Sequence, residues 1–247
     1  MITGKHIIGV ALLFSSFFTL QAQVREGRIV YERKINMHRS LADESMKSMV
    51  PEFSTSKAEL LFTGDESIWR NVQEEADIRD QAGDDPNRPV IRMNFGSTDD
   101  VTYKNYKDEK MVQQREMGPK KYLIEDSFPH HVWKPETDTQ TIAGHLCKKA
   151  TTHGKQNNVV VAWYAEDIQS PSGPEAYGGL PGLILQLNSN DGEMMFTAVE
   201  IDTKGLDKRL VRTPTDGKKI TRADFSKMMG DQPGGGSGRP VIRIIRN

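Results

Sequence analysis

Four histidines and the single cysteine fall close together: His130, His131, His145, Cys147 and His153 lie within 24 residues. Imidazole and thiolate ligands suit copper(I) or zinc, and the chain adds 11 Met. On a strand, His145 and Cys147 sit two residues apart and share a face, which makes them the candidate metal pair. Against this, Cys147 opens a run of core-like residues, and a lone Cys commonly behaves as a small buried hydrophobe. Met194-Met195 and Met228-Met229 read as core filler, and His130 and His131 face opposite sides of an extended chain. Cys147 with His145 or His153 also forms a nominal thiol–imidazole pair. A nucleophilic Cys needs a base placed in space and a third orienting group, and an exposed thiolate beyond the inner membrane invites oxidation. Glu166-Asp167 supplies two carboxylates, but neighbouring strand residues point to opposite faces. There is no Gly-x-Ser-x-Gly elbow, His-Glu-x-x-His pair or phosphate-binding glycine loop. The expectation is a protein without catalytic activity, with no catalytic residue and no cofactor assigned. Metal handling through His145 and Cys147 is the alternative, followed by a hydrolase.

A second grouping is apolar. Trp133, Trp163, Tyr164, Tyr177, Leu180 and Leu183 are close in sequence and could line a groove for an apolar ligand or a partner segment. They could equally fill the core of a sheet. Leu180-Pro181-Gly182-Leu183 has the residue order of a type II turn, because Pro pre-sets φ and Gly accepts φ > 0 cheaply. Gly179, Pro181 and Gly182 are therefore read as structural turn residues. Leu183-Ile184-Leu185 is apolar on successive residues, so both of its faces should be covered.

These groups must be positioned by strands. Short alternating or β-branched runs recur at Gly27–Ile35, Lys57–Phe62, Ser67–Val72, Pro89–Phe95, Val101–Tyr106, Lys110–Glu116 and Lys121–Asp126. They continue at His131–Lys134, Cys147–His153, Val159–Tyr164, Leu183–Asn188 and Met194–Ile201. Turn signals separate them, Gly64-Asp65 among the clearest. The spacing predicts a mainly β fold: a curved antiparallel sheet or half-barrel meander with one or two short helices. The helices are expected at Leu41–Val50, ended by Pro51, and at Thr221–Met229, where Thr221 caps and Asp224 stands three residues on. The second should bury Phe225 with Met228 or Met229.

Composition bounds the rest. The 247 residues carry 33 Lys+Arg against 34 Asp+Glu, a net charge of −1, so no basic excess exists to bind nucleic acid. One Cys excludes an intramolecular disulfide framework. Lys5, the apolar run Ile7–Leu20 and a polar exit fit a signal peptide over residues 1–23, removed near Ala22 or Gln23. The run is shorter than the ~20 apolar residues a spanning helix needs. The expected organisation is that signal peptide, one β domain over 24–230, and a flexible linker and tail over 231–247. Glu74–Arg88 is acidic and reads as a long exposed loop. The tail Arg239–Arg246 echoes Arg88–Met93, a coincidence of strand alphabet on this reading. It either adds as an edge strand or hangs free with a positive charge. The expected location is the periplasm or cell surface, with no transmembrane helix in the mature chain and the oligomeric state open.

Gly179 to Ile184 spells GLPGLI, and the flanks agree in order: Trp133, Ile142 to Ala150 with Cys147 in place, Ala162-Trp163-Tyr164 and Gly173-Pro174. This resembles the GLPGLI family, secreted proteins of Bacteroidota. In that family an aromatic usually follows the glycine; His145 stands there instead. The resemblance covers residues 122–201 most closely. It implies an exported protein without an established molecular function, of a kind often discussed beside outer-membrane uptake systems, and it supplies no catalytic residues.

Overall fold

The computed structural model describes residues 24–41, 44–48, 50–72, 90–94, 97–154, 157–230 and 241–245. Among them, fourteen strands run in chain order: β1 (Gly27–Asn36), β2 (Phe53–Phe62), β3 (Glu66–Asn71), β4 (Val90–Asn94), β5 (Val101–Asn105), β6 (Lys110–Met117) and β7 (Lys120–Ser127). They are followed by β8 (Lys134–Ile142), β9 (His145–His153), β10 (Val159–Ala165), β11 (Leu183–Ser189), β12 (Met194–Asp202), β13 (Lys218–Ile220) and β14 (Val241–Ile245). Two α-helices, α1 (Glu44–Lys47) and α2 (Arg222–Gly230), accompany them.

Twelve strands form one sheet in the order β13-β7-β6-β5-β3-β2-β1-β12-β11-β10-β9-β8. The first strand is central: β1 pairs antiparallel with β2 on one side and β12 on the other. One meander therefore walks outward from β1 to β7, and a second walks back inward from β8 to β12. Ten inter-strand steps separate β7 from β8 in the order, which is about 48 Å across a flat sheet. The link from Ser127 to Lys134 spans at most about 24 Å. The sheet must therefore curl until its two margins approach, which is the curved architecture the strand spacing predicts. All pairings in it are antiparallel except β13 on β7, which is parallel.

The curl makes one face concave, and the register lines that face with Ile29 and Tyr31, Leu60 and Phe62, Trp69, Phe196, Leu187, Ala162 and Tyr164, all buried in the main core. Trp69 sits between Tyr31 at 5.3 Å and Phe196 at 5.5 Å, both tilted or edge-on.

Three expectations need correction. His131–Lys134 is not a strand; the strand begins at Lys134 and runs to Ile142. β8 is an edge strand, polar and exposed along most of its length, so no hydrophobic alternation marks it, and Pro135 is tolerated there. Of the helix expected over Leu41–Val50, the described residues form α1 alone, with Leu41, Ser48 and Val50 outside it, and the Met37 N–H donates to Glu52 O at 2.7 Å where the excursion returns to β2. The tail does not hang free over Val241–Ile245: β14 pairs antiparallel with β4, Arg92 opposite Arg243, in a separate two-stranded sheet. α2 forms where expected: the Asp224 N–H donates to Thr221 Oγ1 at 3.0 Å, the Thr221 hydroxyl donates back to Asp224 Oδ2 at 2.7 Å, and Phe225 packs on Tyr122. The signal peptide, the Glu74–Arg88 loop and the 231–238 linker lie outside the described residues.

Candidate functional site

The concave face is occupied by the chain itself. Residues 166–182 leave β10, cross the inside of the curl and return as β11. Polar anchors pin this segment at intervals. The Lys104 Nζ donates to Gly173 O at 2.7 Å and Tyr177 O at 2.8 Å. Trp133 Nε1 donates to Gly178 O at 3.0 Å, and the Tyr31 hydroxyl to Ile184 O at 2.7 Å. The Ser170 hydroxyl donates to Ser172 Oγ at 2.8 Å, and the Gly179 N–H to Pro171 O at 2.8 Å.

The residues read from sequence as a ligand surface belong to this packing. Tyr164, Leu180 and Leu183 are buried in the main core; Trp133, Trp163 and Tyr177 are partly buried against it. Tyr177 stacks on His131 at 4.8 Å. The turn differs from the type II expectation: Gly182 does not adopt positive φ, whereas Gly179 does, at +87°. Gly182 is needed for space instead, since a Cβ there would lie 2.3 Å from Ala165 O. Pro181 is exposed. Cys147 is 0% exposed, and burial first, then the Asp167 charge, pushes its thiol up to about 11. The His145 Nδ1 pairs with Asp167 Oδ2 at 2.6 Å. No group of three or more metal-binding side chains converges among the described residues.

Lys104 is fully buried, and burial lowers its pKa to about 7, against the opposing pull of the Glu175 carboxylate. Sequence reading missed it because Val101–Asn105 alternates, and a lysine in alternation reads as a solvated face.

The convex face carries the other arrangement that sequence reading missed. Glu59 on β2 is opposite Arg70 on β3, with Arg28 on β1 alongside. The Arg28 Nε donates to Glu59 Oε2 at 2.6 Å, and the Arg70 Nε donates to Glu59 Oε1. Burial alone would raise the Glu59 carboxyl, but the two guanidiniums outweigh it and hold the group below its ordinary value. After β12 the chain crosses this face, and Leu206 and Val211 pack on Leu61 and Ile68. Between that crossing and the sheet lies a cleft of ≈ 260 Å³ lined by Arg28, Glu59, Arg70, Lys204, Leu206 and Leu210, among others. The only sequence signal is one acidic residue inside the buried run Ala58–Phe62; the register that pairs it with arginine is not readable.

A family described as "Protein of unknown function (Porph_ging)" matches residues 151–186, which run from β9 through the crossing segment into β11. No curated protein matches the chain. Two structures of PNGF-II, in space groups P21 and C2, superimpose with a TM-score of 0.55 at 17% and 18% identity. Each alignment covers 84% of this chain and 33% of that one, so this chain spans about a third of the length of PNGF-II. At that identity the likeness is one of fold. An uncharacterized conserved protein from Thermus thermophilus aligns at a TM-score of 0.41 and 8% identity over 81% of this chain and 91% of that one, too distant to carry an argument.

Proposed function

We propose that this is a non-catalytic, exported envelope protein of the GLPGLI type, accessory to outer-membrane transport or maintenance. In this reading it engages its partner segment or ligand through the convex cleft rather than a concave groove. The observation that supports it is the placement of residues 166–182, which fill the inside of the curl and leave Arg28, Glu59, Arg70 and the 204–210 crossing facing outward. The buried, protonated thiol of Cys147 and the committed amine of Lys104 favour a structural use of both groups over a catalytic one. The export signal and the hexapeptide flanks support the envelope assignment. A photo-crosslinking residue at Leu210, expressed in the native host, tests the reading. Discrete adducts with an envelope component, absent from the same probe at Lys148, are expected. Adducts at neither site, or a fraction confined to the cytoplasm, would overturn it.

A further inference from the structure

The cleft has a chemical bias. An arginine carries five N–H donors. Arg70 uses its Nε on Glu59, and Arg28 uses its Nε on Glu59 and Nη1 on the exposed Glu200. The carboxylates are already engaged. Glu59 accepts from both guanidiniums, Asp202 accepts from the Lys204 N–H at 2.9 Å, and Asp207 accepts from the Arg209 N–H, Nε and Nη2. Lys204 has no ion-pair partner among the described residues. What is left over is donor capacity on cations: two guanidiniums held in place by one buried carboxylate, and a free ammonium. Beside them lie Leu206 and the half-exposed side chain of Leu210. The three cations face three carboxylates, Glu59, Asp202 and Asp207, so the cleft carries no net positive charge. It selects through the unused guanidinium N–H groups rather than through its field, which excludes a polyanion and admits at most one acid group bound by hydrogen bonds.

We infer that this cleft binds a single carboxylate bearing a short aliphatic group, the guanidiniums and Lys204 taking the acid and Leu206 and Leu210 the side chain. The inference rests on the cleft being the binding surface proposed above. A volume of ≈ 260 Å³ lies just under the ~300–1,000 Å³ of pockets for drug-sized ligands and suits one residue's worth of ligand. Such chemistry is presented by a free organic acid or by the C-terminus of a partner chain ending in an aliphatic residue. Carboxylate-terminus capture is a recurring recognition mode.

The test is a calorimetric titration of the mature protein with N-acetyl-leucine, N-acetyl-leucinamide, and a hexapeptide ending in Leu. Saturable binding of the acid and none of the amide is expected. Lys204→Gln, an exposed position, should weaken binding about two- to fivefold, the worth of one exposed ion pair. Arg70→Gln should abolish binding, but it leaves Glu59 with one partner, so its fold is checked by circular dichroism and Lys204→Gln decides if it fails. A hexapeptide much tighter than N-acetyl-leucine identifies a chain terminus as the source; equal affinities identify a free acid. Equal binding of acid and amide, or of neither, overturns the inference. Crosslinks at Leu210 surviving that failure would show that the cleft is used for a ligand of other chemistry.

Discussion

Replacing Lys104 by Met keeps the length of the side chain and removes the amine. Two carbonyls, the buried Gly173 O and the part-buried Tyr177 O, then lose their donor. Each such loss costs about 1–3 kcal/mol, while burying the amine itself has a cost that the variant escapes. The pH dependence separates the two effects. The folded pKa of Lys104 is lowered from 10.5 to about 7. Between those values the unfolded chain binds more protons than the native one, so this residue makes stability rise with pH, by about 1.4 kcal/mol per unit. Below about 7 both states are protonated and the slope from Lys104 vanishes. Between pH 6.5 and pH 9 the wild type should therefore gain about 2–3 kcal/mol that Lys104→Met does not. Glu175 and Tyr106 are present in both proteins; His131, held below its ordinary value by burial and then in part by the Lys104 charge, is coupled to Lys104 and contributes part of the difference near the lower pH. Urea unfolding at the two pH values gives the four free energies needed. Parallel pH dependences for wild type and variant, within about 0.5 kcal/mol, would refute a neutralised, buried amine holding the crossing segment.

Gly182→Ala should destabilise by at least about 2 kcal/mol through overpacking against Ala165 O. Gly179→Ala, at φ +87° with open space around it, should cost only about 1–2 kcal/mol; thermal denaturation ranks the two, and the reverse order would contradict the packing. Pro181→Ala, at an exposed site, should cost under about 1 kcal/mol by the same assay. Cys147 should resist iodoacetamide at pH 8 in the native protein and react fully in urea, read by mass spectrometry, because its thiol is buried and raised to about 11. Phe225→Ala should loosen α2 from Tyr122 and Ile124 and lower stability by about 2–4 kcal/mol in urea.

The strands with an apolar rhythm were legible: β1, β10, β11 and β12 fall within a residue or two of their sequence readings because one face of each meets the core. β8 was not, because an edge strand of Lys, Pro, Glu, Thr and Asp buries almost nothing and leaves no periodic trace. The importance of the GLPGLI corner was readable, its reason was not. Pro-Gly order pointed to positive φ at Gly182, whereas the close approach of the Ala165 carbonyl makes the demand there. Such an approach depends on two strands meeting in space. The same limit hid the cleft: Arg28, Glu59 and Arg70 are 42 residues apart from first to last and only register brings them together. Lys104 was hidden by its own chemistry, since a lysine in an alternating strand normally faces water.

Native-state hydrogen exchange across residues 168–184 tests most directly whether the chain fills its own concave face. The N–H groups of Gln169, Ser170 and Ile184 donate to Val24 O, Ile168 O and Ser172 O inside the curl. They should exchange only through openings close to global unfolding, as the core of β11 does. Exchange of these amides at the rate of an open loop, with β11 still protected, would mean that the inside of the sheet is vacant and that the binding surface lies there instead.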